Sequence, residues 1–416
     1  MYDFAFDAKN IARELRRSDF HGNAGLAQPA AKAALVSHAV NHAANGFSNL
    51  VLDTHTKNCK LVYDTALLSQ DLVLRKLRHN FKQLTQVRQA DRDETIMSLR
   101  SLLGDCSAVR IYKLDIKSFY ESIDRSHIES KLSRDLGFPA SSLYVFRSFS
   151  SQLEGKNISG VPRGLAISET LTEYVMRPFD RSVQQQACVY YYGRYVDDIV
   201  ILTTGKENKK DFMKDLRALL APGLSFNQGK CQVIDITKGK PHDQNGVVPL
   251  AGSFDFLGYR FRVFDRSKVG KTVRRNVQLD ISPKKVRRLK TRLVLALRRY
   301  VLDDDFGELI DRFKILTGNY SIYDYDTGVR RKVGIGSNFR LIDRKDSQAL
   351  LELDAFIHKV VSGTQGNLCA GLHPKLNSTR KRYLLKFRFS QAFNPKTYHH
   401  LNPARVAKSI DCWKHV

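Results

Sequence analysis

Hydrophobic positions change period several times along the chain, and each change marks an element. QPAAKAALVSHAVNHAANGF, within the first 50 residues, is Ala-rich and predicts one helix ending near Gly46. Ser69 and Gln70 precede DLVLRKLRHNFKQL, where Val73, Leu77, Phe81 and Leu84 recur at helical spacing. The other face of that helix holds Arg75, Lys76, Arg78 and Lys82 and reads as a solvated surface. VRQADRDETIMSLRSLL predicts a further helix, with Ile96, Leu99 and Leu103 on one side and Arg88 and Arg92 one turn apart.

Period-two and β-branched runs come next. AVRIYKLDI (108–116) predicts a strand buried on at least one face. A helical stretch follows from about Asp124, and GLAISETLTEYVMRPF (164–179) predicts a helix that stops near Pro178. YYYGRYVDDIVIL (190–202) reads as a β-hairpin, with Gly193 interrupting the run as a tight turn would require. An amphipathic helix over 208–220 and short strands around CQVID and FDFLGYRF complete the pattern. Strand, helix, helix, hairpin, helix, strand is an α+β order.

Composition shifts after about residue 266. Residues 267–300 hold 12 Lys or Arg against one acid, and residues 373–416 hold ten against one. Ser282-Pro283 is a helix start, and Val286, Leu289, Leu293, Leu297 and Tyr300 fall on a core-facing stripe. That leaves Arg287, Arg288 and Arg292 facing outward as expected phosphate contacts. The region from 266 to 416 is therefore expected to be basic and mainly helical.

Net charge is +26, from 68 Lys and Arg against 42 Asp and Glu, which points to a polyanionic partner, nucleic acid first. No run of 18 apolar residues is present and MYDFAFDAKN lacks a signal-peptide pattern, so no membrane partner is expected. The six cysteines show no C-x-x-C and no short Cys/His spacing, which argues against a zinc ribbon or a disulfide framework and for a reducing cytoplasm. Against this background Asp197 and Asp198 are anomalous, two like charges side by side in an apolar run. Neighbouring carboxylates in such a setting repel unless a cation sits with them. Asp115 ends the first strand, 82 residues before Asp197. Three carboxylates from two strands lying side by side would suit two Mg²⁺ ions, which prefer carboxylate oxygens plus substrate phosphates.

LDIKSFYESI, GVPRGLAIS, YVDD, FNQGKC and FLGY occur in the order and rough spacing of the palm motifs of reverse transcriptases. The chain resembles that family over roughly its first 265 residues. PRGLAIS and RFKILTGNYSIYDYDTGVRRKVGIGSNF look most like the bacterial abortive-infection and defence-associated members, in particular the smaller polymerases of type 3 systems that pair two reverse transcriptases with a noncoding RNA.

The resemblance implies a right-hand polymerase fold. An N-terminal helical extension (1–60) would lead into fingers and palm (61–265), followed by a helical, basic thumb and C-terminal RNA-binding region (266–416). It implies that Asp115, Asp197 and Asp198, with the backbone carbonyl of Ile116, hold two Mg²⁺ or Mn²⁺ ions. Tyr120 would be the steric gate that excludes a 2′-hydroxyl. Arg88 and Arg92 would grip the incoming triphosphate, with Arg163 and Gly164 beside the nucleotide. Lys230 would donate a proton to the leaving group, and Phe256, Leu257, Gly258 and Tyr259 would form the primer grip. For Arg88 and Arg92 a plain surface pair, and for Lys230 a structural lysine, stay open as equal alternatives.

The sequence departs from the family pattern at Arg163, where a Gln is usual, and at Ser168-Glu169, where a Ser-Pro pair is usual. Implied partners are an RNA template, a noncoding RNA above all, with dNTPs, a DNA product and a second reverse transcriptase in a higher-order assembly. The implied location is the bacterial cytoplasm. Three functions stay open: RNA-directed DNA synthesis in antiphage defence, template-independent or protein-primed DNA synthesis, and a non-catalytic RNA-binding scaffold. The intact acid triad counts against the scaffold, because unneutralised clustered carboxylates destabilise a fold.

Overall fold

Pro29 at the first turn and Gly46 just past the last bracket the Ala-rich segment, which forms α1 (Pro29–Ala44). Gly46 has φ +71°, and a Cβ there would lie 2.3 Å from Ser148 Oγ, so the chain can turn there only with glycine. The structure is a computed structural model describing residues 3–57, 60–85, 90–105, 108–134, 137–236, 248–269, 272–394 and 397–414, with the backbone alone for 266–269 and 272–274. It divides into two compact units, Met1–Thr95 with Ala108–Ile236, and Ile96–Ser107 with Thr237–Val416.

The first unit continues from α1 into a hairpin, β1 (Leu52–Lys57) and β2 (Lys60–Thr65), that the sequence reading did not include. Then come α2 (Leu68–Thr85) and α3 (Arg92–Gly104), whose last turns belong to the second unit. Next are β3 (Val109–Asp115), α4 (Arg125–Arg134), α5 (Ala140–Gly155) and α6 (Ser168–Gln184). The strands β4 (Val189–Tyr195) and β5 (Asp198–Thr203), helix α7 (Lys209–Ala218) and strand β6 (Gln232–Ile236) complete the unit. The sheet order is β4-β5-β3-β6, antiparallel throughout. Val109, Ile111, Tyr112 and Leu114 are all buried, as a central strand covered on both faces requires. Phe81 of α2 anchors the helical layer, its ring meeting those of Phe138, Phe146 and Tyr174 at centroid distances of 4.9, 6.1 and 6.0 Å.

Two expectations fail here for identifiable reasons. The basic face of α2 is solvated only in part: Lys82 is exposed and Arg78 half-buried, but the N-terminal segment covers Arg75 and Lys76. Arg75 is buried and pairs with Asp19 and Asp71, and the buried Lys76 donates to the Asp3 carbonyl. Nor does the helix of GLAISETLTEYVMRPF stop at Pro178. α6 runs on to Gln184, because Phe179 and Val183 continue its buried stripe and repay the single hydrogen bond that proline removes.

The second unit opens with a three-stranded antiparallel sheet in the order β7-β8-β9, where β7 is Leu250–Phe256, β8 Tyr259–Val269 and β9 Thr272–Ile281. The basic stretch after residue 266 thus begins as strand, and Val277, Leu279 and Ile281 alternate inward on β9. Helix α8 (Pro283–Asp303) starts at Ser282-Pro283 as expected, and Val286, Leu293, Leu297 and Tyr300 are buried, while Leu289 is half-buried. After α9 (Phe306–Thr317), a hairpin of β10 (Asn319–Asp324) and β11 (Val329–Gly334) forms. Helices α10 (Gln348–Ser362) and α11 (Ser378–Leu384) precede the two-residue β12 (Tyr398–His399), which pairs in parallel with β10. Among the described residues no helix is long and apolar enough to cross a membrane, and Cys188, Cys231, Cys369 and Cys412 are free.

Candidate active site

β3 and β5 are neighbours, and their register sets Asp115 directly opposite Asp198. Asp197 sits at the tip of the β4–β5 hairpin, where Val196 and Asp197 connect Tyr195 to its partner Asp198. Val196 has φ +59°, a conformation that a β-branched residue adopts only under strain. Two hydrogen bonds hold the turn: the Ile116 N–H donates to the Asp197 carbonyl at 3.2 Å, and Arg194 Nη1 donates to the Val196 carbonyl at 3.1 Å. The turn expected at Gly193 lies three residues further on. Gly193 is inside β4, opposite Val200, and its missing side chain leaves room for Tyr191 and Thr95, which a Cβ would meet at 3.0 and 3.1 Å.

Arg194 is the brace behind the hairpin. Its guanidinium is buried and forks onto Glu173 at 2.9 and 2.6 Å and onto Asp180 at 2.8 and 2.8 Å, both on α6. Tyr192 also donates to Asp180. Arg194 thus supports the strand.

The acids are crowded. Burial, then the charges of Asp197 and Asp115, push the Asp198 carboxyl up to about 6, against the pull of Lys113 and Lys230. Lys230 Nζ donates to both oxygens of Asp115, at 3.0 and 3.1 Å, and that hydrogen bond raises the lysine's own pKa. Lys230 is placed by the FNQGK turn, in which the Asn227 N–H donates to the Asp115 carbonyl and the Lys230 and Cys231 N–H groups return to Asn227. Among the described residues no group of three acidic, His or Cys side chains converges as metal ligands. The carboxylate oxygens are of the kind a hard cation prefers, two carboxylates in cross-strand register and a third at the adjoining turn, and a cation bound there would replace Lys230 on Asp115.

Tyr120 is on the loop after β3 and lines a cavity of about 490 Å³ together with Gly164, Arg78 and Glu169. Burial raises the Tyr120 phenol's pKa, Arg163 opposes the shift, and Glu169 and Asp197 add to it, so the ring lies within the field of the acids. Arg163 stacks over the Tyr120 ring at 4.3 Å and is held there by Glu121 at 2.9 and 3.2 Å. Gly164 has φ +101°, and a Cβ there would strike the Tyr63 carbonyl at 2.4 Å, because the VPRG loop lies on β2 and the Tyr63 N–H donates to the Arg163 carbonyl.

Residues 70–261 match the family described as reverse transcriptase (RNA-dependent DNA polymerase). Over this segment the chain is similar to reverse transcriptase domains. No curated protein matches the chain at significant similarity. Among solved structures, the chain is similar to apo telomerase from Candida tropicalis truncated from its C-terminal domain, at 15% identity and a TM-score of 0.35, over 52% of this chain and 53% of that one. It is also similar to telomerase from Candida albicans in complex with a TWJ fragment of telomeric RNA, at 16% identity and a TM-score of 0.35, over 83% of this chain and 57% of that one. The chain thus spans just over half the length of these structures.

Within the matched segment the structure brings together Asp115, Ile116, Asp197, Asp198 and Lys230, and separately Tyr120, Arg163 and Gly164. Arg88 lies outside the described residues. Arg92 opens α3, 3.8 Å from Asp93, and does not line the cavity of Tyr120. Three arginines do line it, Arg16, Arg75 and Arg78; Arg78 lies 3.8 Å from Glu169 and belongs to the helix face expected to be solvated. Its signal was the departure at Ser168-Glu169, which puts an acid where Arg78 needs a partner. In the second unit Phe256 and Tyr259 are buried partners in register, and Leu257 and Gly258 form the two-residue turn between them at φ +46° and +85°. Glycine there answers the turn geometry. Of the helix α8 arginines Arg287 is exposed, whereas Arg288 and Arg292 are half-buried rather than outward.

Proposed function

We propose that the protein is an RNA-directed DNA polymerase whose reaction centre is the Asp115, Asp197 and Asp198 group. The observation that carries this reading is the cross-strand register of Asp115 with Asp198 beside the Asp197 turn, inside the segment similar to reverse transcriptase domains. Asp115, Asp197 and Asp198, with the Ile116 carbonyl, would hold two Mg²⁺ or Mn²⁺ ions. Bound there, such ions lower the pKa of a primer 3′-hydroxyl and neutralise the departing pyrophosphate.

The chain's own residues do the rest. Tyr120, pinned under Arg163, presents a ring face to the sugar and leaves no room for a 2′-hydroxyl. Arg78 supplies a guanidinium fork to phosphate oxygens in the cavity, with Glu169 holding it until the nucleotide enters. Lys230, already protonated and near the acids, is positioned to give a proton to the leaving group. Residues 266–416 would act as thumb and RNA-holding surface, their charge matched to phosphate.

The finer reading is bacterial antiphage defence in the cytoplasm, by copying an associated noncoding RNA alongside a second reverse transcriptase. Its support is the resemblance of PRGLAIS and of residues 312–339 to defence-associated enzymes. The test is dNTP incorporation by protein purified from cells, with sequencing of the copurifying RNA and of the DNA made. DNA complementary to a bound RNA is expected, and Asp197→Ala with Asp198→Ala should abolish incorporation while circular dichroism stays unchanged. Equal incorporation by that variant overturns the site, and DNA unrelated to any bound RNA overturns templating.

A further inference from the structure

A second cavity, of about 210 Å³, lies in the second unit, between α9, the segment that follows α11, and β12. Its walls combine three features. Tyr383 and Phe387 give aromatic surface, their ring centroids 5.9 Å apart, with Phe387 fixed against Phe313 at 5.7 Å and Tyr383 left 40% exposed. His399 and Gln391 bring groups that can donate or accept hydrogen bonds. Burial and nearby Lys314 keep the His399 imidazole in its neutral form at physiological pH, so it offers one donor and one acceptor. Lys386 and Arg388 are exposed at the wall, and no acidic residue lines the cavity. Among the described residues neither of these two cations is paired with a carboxylate; Lys386 Nζ instead lies 5.9 Å from the Tyr383 ring centroid.

Aromatic faces, edge hydrogen-bonding groups and unpaired cations in a space smaller than the roughly 300–1,000 Å³ of drug-sized sites match one ring system with a phosphate attached. His399 is in register with Tyr320 of β10. Further along that strand exposed Tyr323 faces Arg330 across the β10–β11 hairpin, with Lys332 on the same strand as Arg330. Tyr320 and His399 share one face of this sheet, and Tyr323, Arg330 and Lys332 lie on the other.

We propose that this cavity takes a single unstacked nucleobase of a single-stranded nucleic acid, with Tyr383 and Phe387 against the base and Lys386 and Arg388 on the flanking phosphates. The site goes beyond polymerisation: it is a separate anchor for a strand, and its binding can be read with no nucleotide incorporated.

The test uses the full-length protein and fluorescence anisotropy with end-labelled single-stranded RNA, DNA of the same sequence, and a free nucleoside monophosphate as competitor. Tyr383→Leu keeps apolar bulk and removes the stacking face, and should weaken strand binding by about 5- to 100-fold. Lys386→Gln with Arg388→Gln, both at exposed positions, should weaken binding and lower the slope of log affinity against log salt by about 1.4, the share of two phosphate contacts on a single strand. Loss in the RNA arm alone identifies the strand as RNA, and equal loss with DNA identifies a base-and-phosphate site that ignores the 2′-hydroxyl; both support the proposal. Wild-type affinity and salt slope for both strands in both variants overturn it. Asp197→Ala with Asp198→Ala, which removes incorporation, should keep the wild-type strand affinity and salt slope, so failure of this anchor and failure of the polymerase reading give different results.

Discussion

Arg194 is the residue whose loss should separate stability from catalysis most cleanly. Its side chain is 5% exposed and those of Glu173 and Asp180 are 8% and 21%. Replacing it by methionine keeps much of the volume but strands two carboxylates in a poorly hydrated site. Breaking a buried ion pair from one side costs about 3–5 kcal/mol. The greater exposure of Asp180 lets water screen part of that, so about 3–4 kcal/mol is expected. A second effect is local. Arg194 also holds the Val196 carbonyl, and Val196 stores strain of about 1–3 kcal/mol in its positive φ. Freed of that bond, the turn relaxes and carries Asp197 with it, and a displacement of about 1 Å at a reacting centre costs roughly 10²-fold in rate.

Two measurements on two variants distinguish these effects. Urea denaturation followed by circular dichroism reads stability, and primer extension reads the site. Arg194→Met should lose on both. Arg194→Met combined with Glu173→Gln and Asp180→Asn removes the stranded charges, so most of the stability should return. Incorporation should stay low, because nothing replaces the hydrogen bond to Val196. If Arg194→Met unfolds within 1 kcal/mol of the wild type, the buried pairing has no energetic weight. If the triple variant extends primers at the wild-type rate, the turn is not held by Arg194.

Tyr120→Ala should raise ribonucleotide incorporation relative to deoxyribonucleotide by at least about tenfold in competition assays, a ratio corresponding to ~1.4 kcal/mol of discrimination; unchanged sugar selectivity would refute the gate. Gly164→Ala places a side chain at φ +101° and 2.4 Å from the Tyr63 carbonyl, so denaturation should show a loss of about 1–3 kcal/mol, and wild-type stability would mean that the loop moves freely off β2. Mg²⁺ at about 100 times its dissociation constant should stabilise the wild type by about 2.7 kcal/mol in a thermal melt and leave Asp197→Ala with Asp198→Ala unmoved; an equal response by both places the cation elsewhere.

What could be read from the sequence divides along a physical line. Asp197, Asp198 and Asp115 were legible because two adjacent carboxylates in a β-branched run conflict with burial, and a conflict of that kind points to chemistry. Ser282-Pro283 was legible because capping and proline geometry act within one turn of the chain. The misread features depend on distant partners. Arg75 and Lys76 sit on a face that periodicity identifies correctly, but what covers them are Asp19 and Asp3, 56 and 73 residues away. Gly193 was misread as a turn because a glycine needed for close packing looks, in sequence, like a glycine needed for positive φ, and Val196 took the strained position that glycine usually occupies. The strand β9 was hidden by its own composition: Val277, Leu279 and Ile281 alternate, but the surrounding lysines and arginines suggested a surface helix instead. Arg78 and Glu169 make the same point at the site itself. Each alone is an ordinary helix-surface residue, and only the packing of α2 near the start of α6 turns them into one wall of the cavity beside Tyr120. Local sequence thus pointed to the candidate acids, while the groups that hold and charge them came from pairings between elements, which many other basic sequences could supply without building this site.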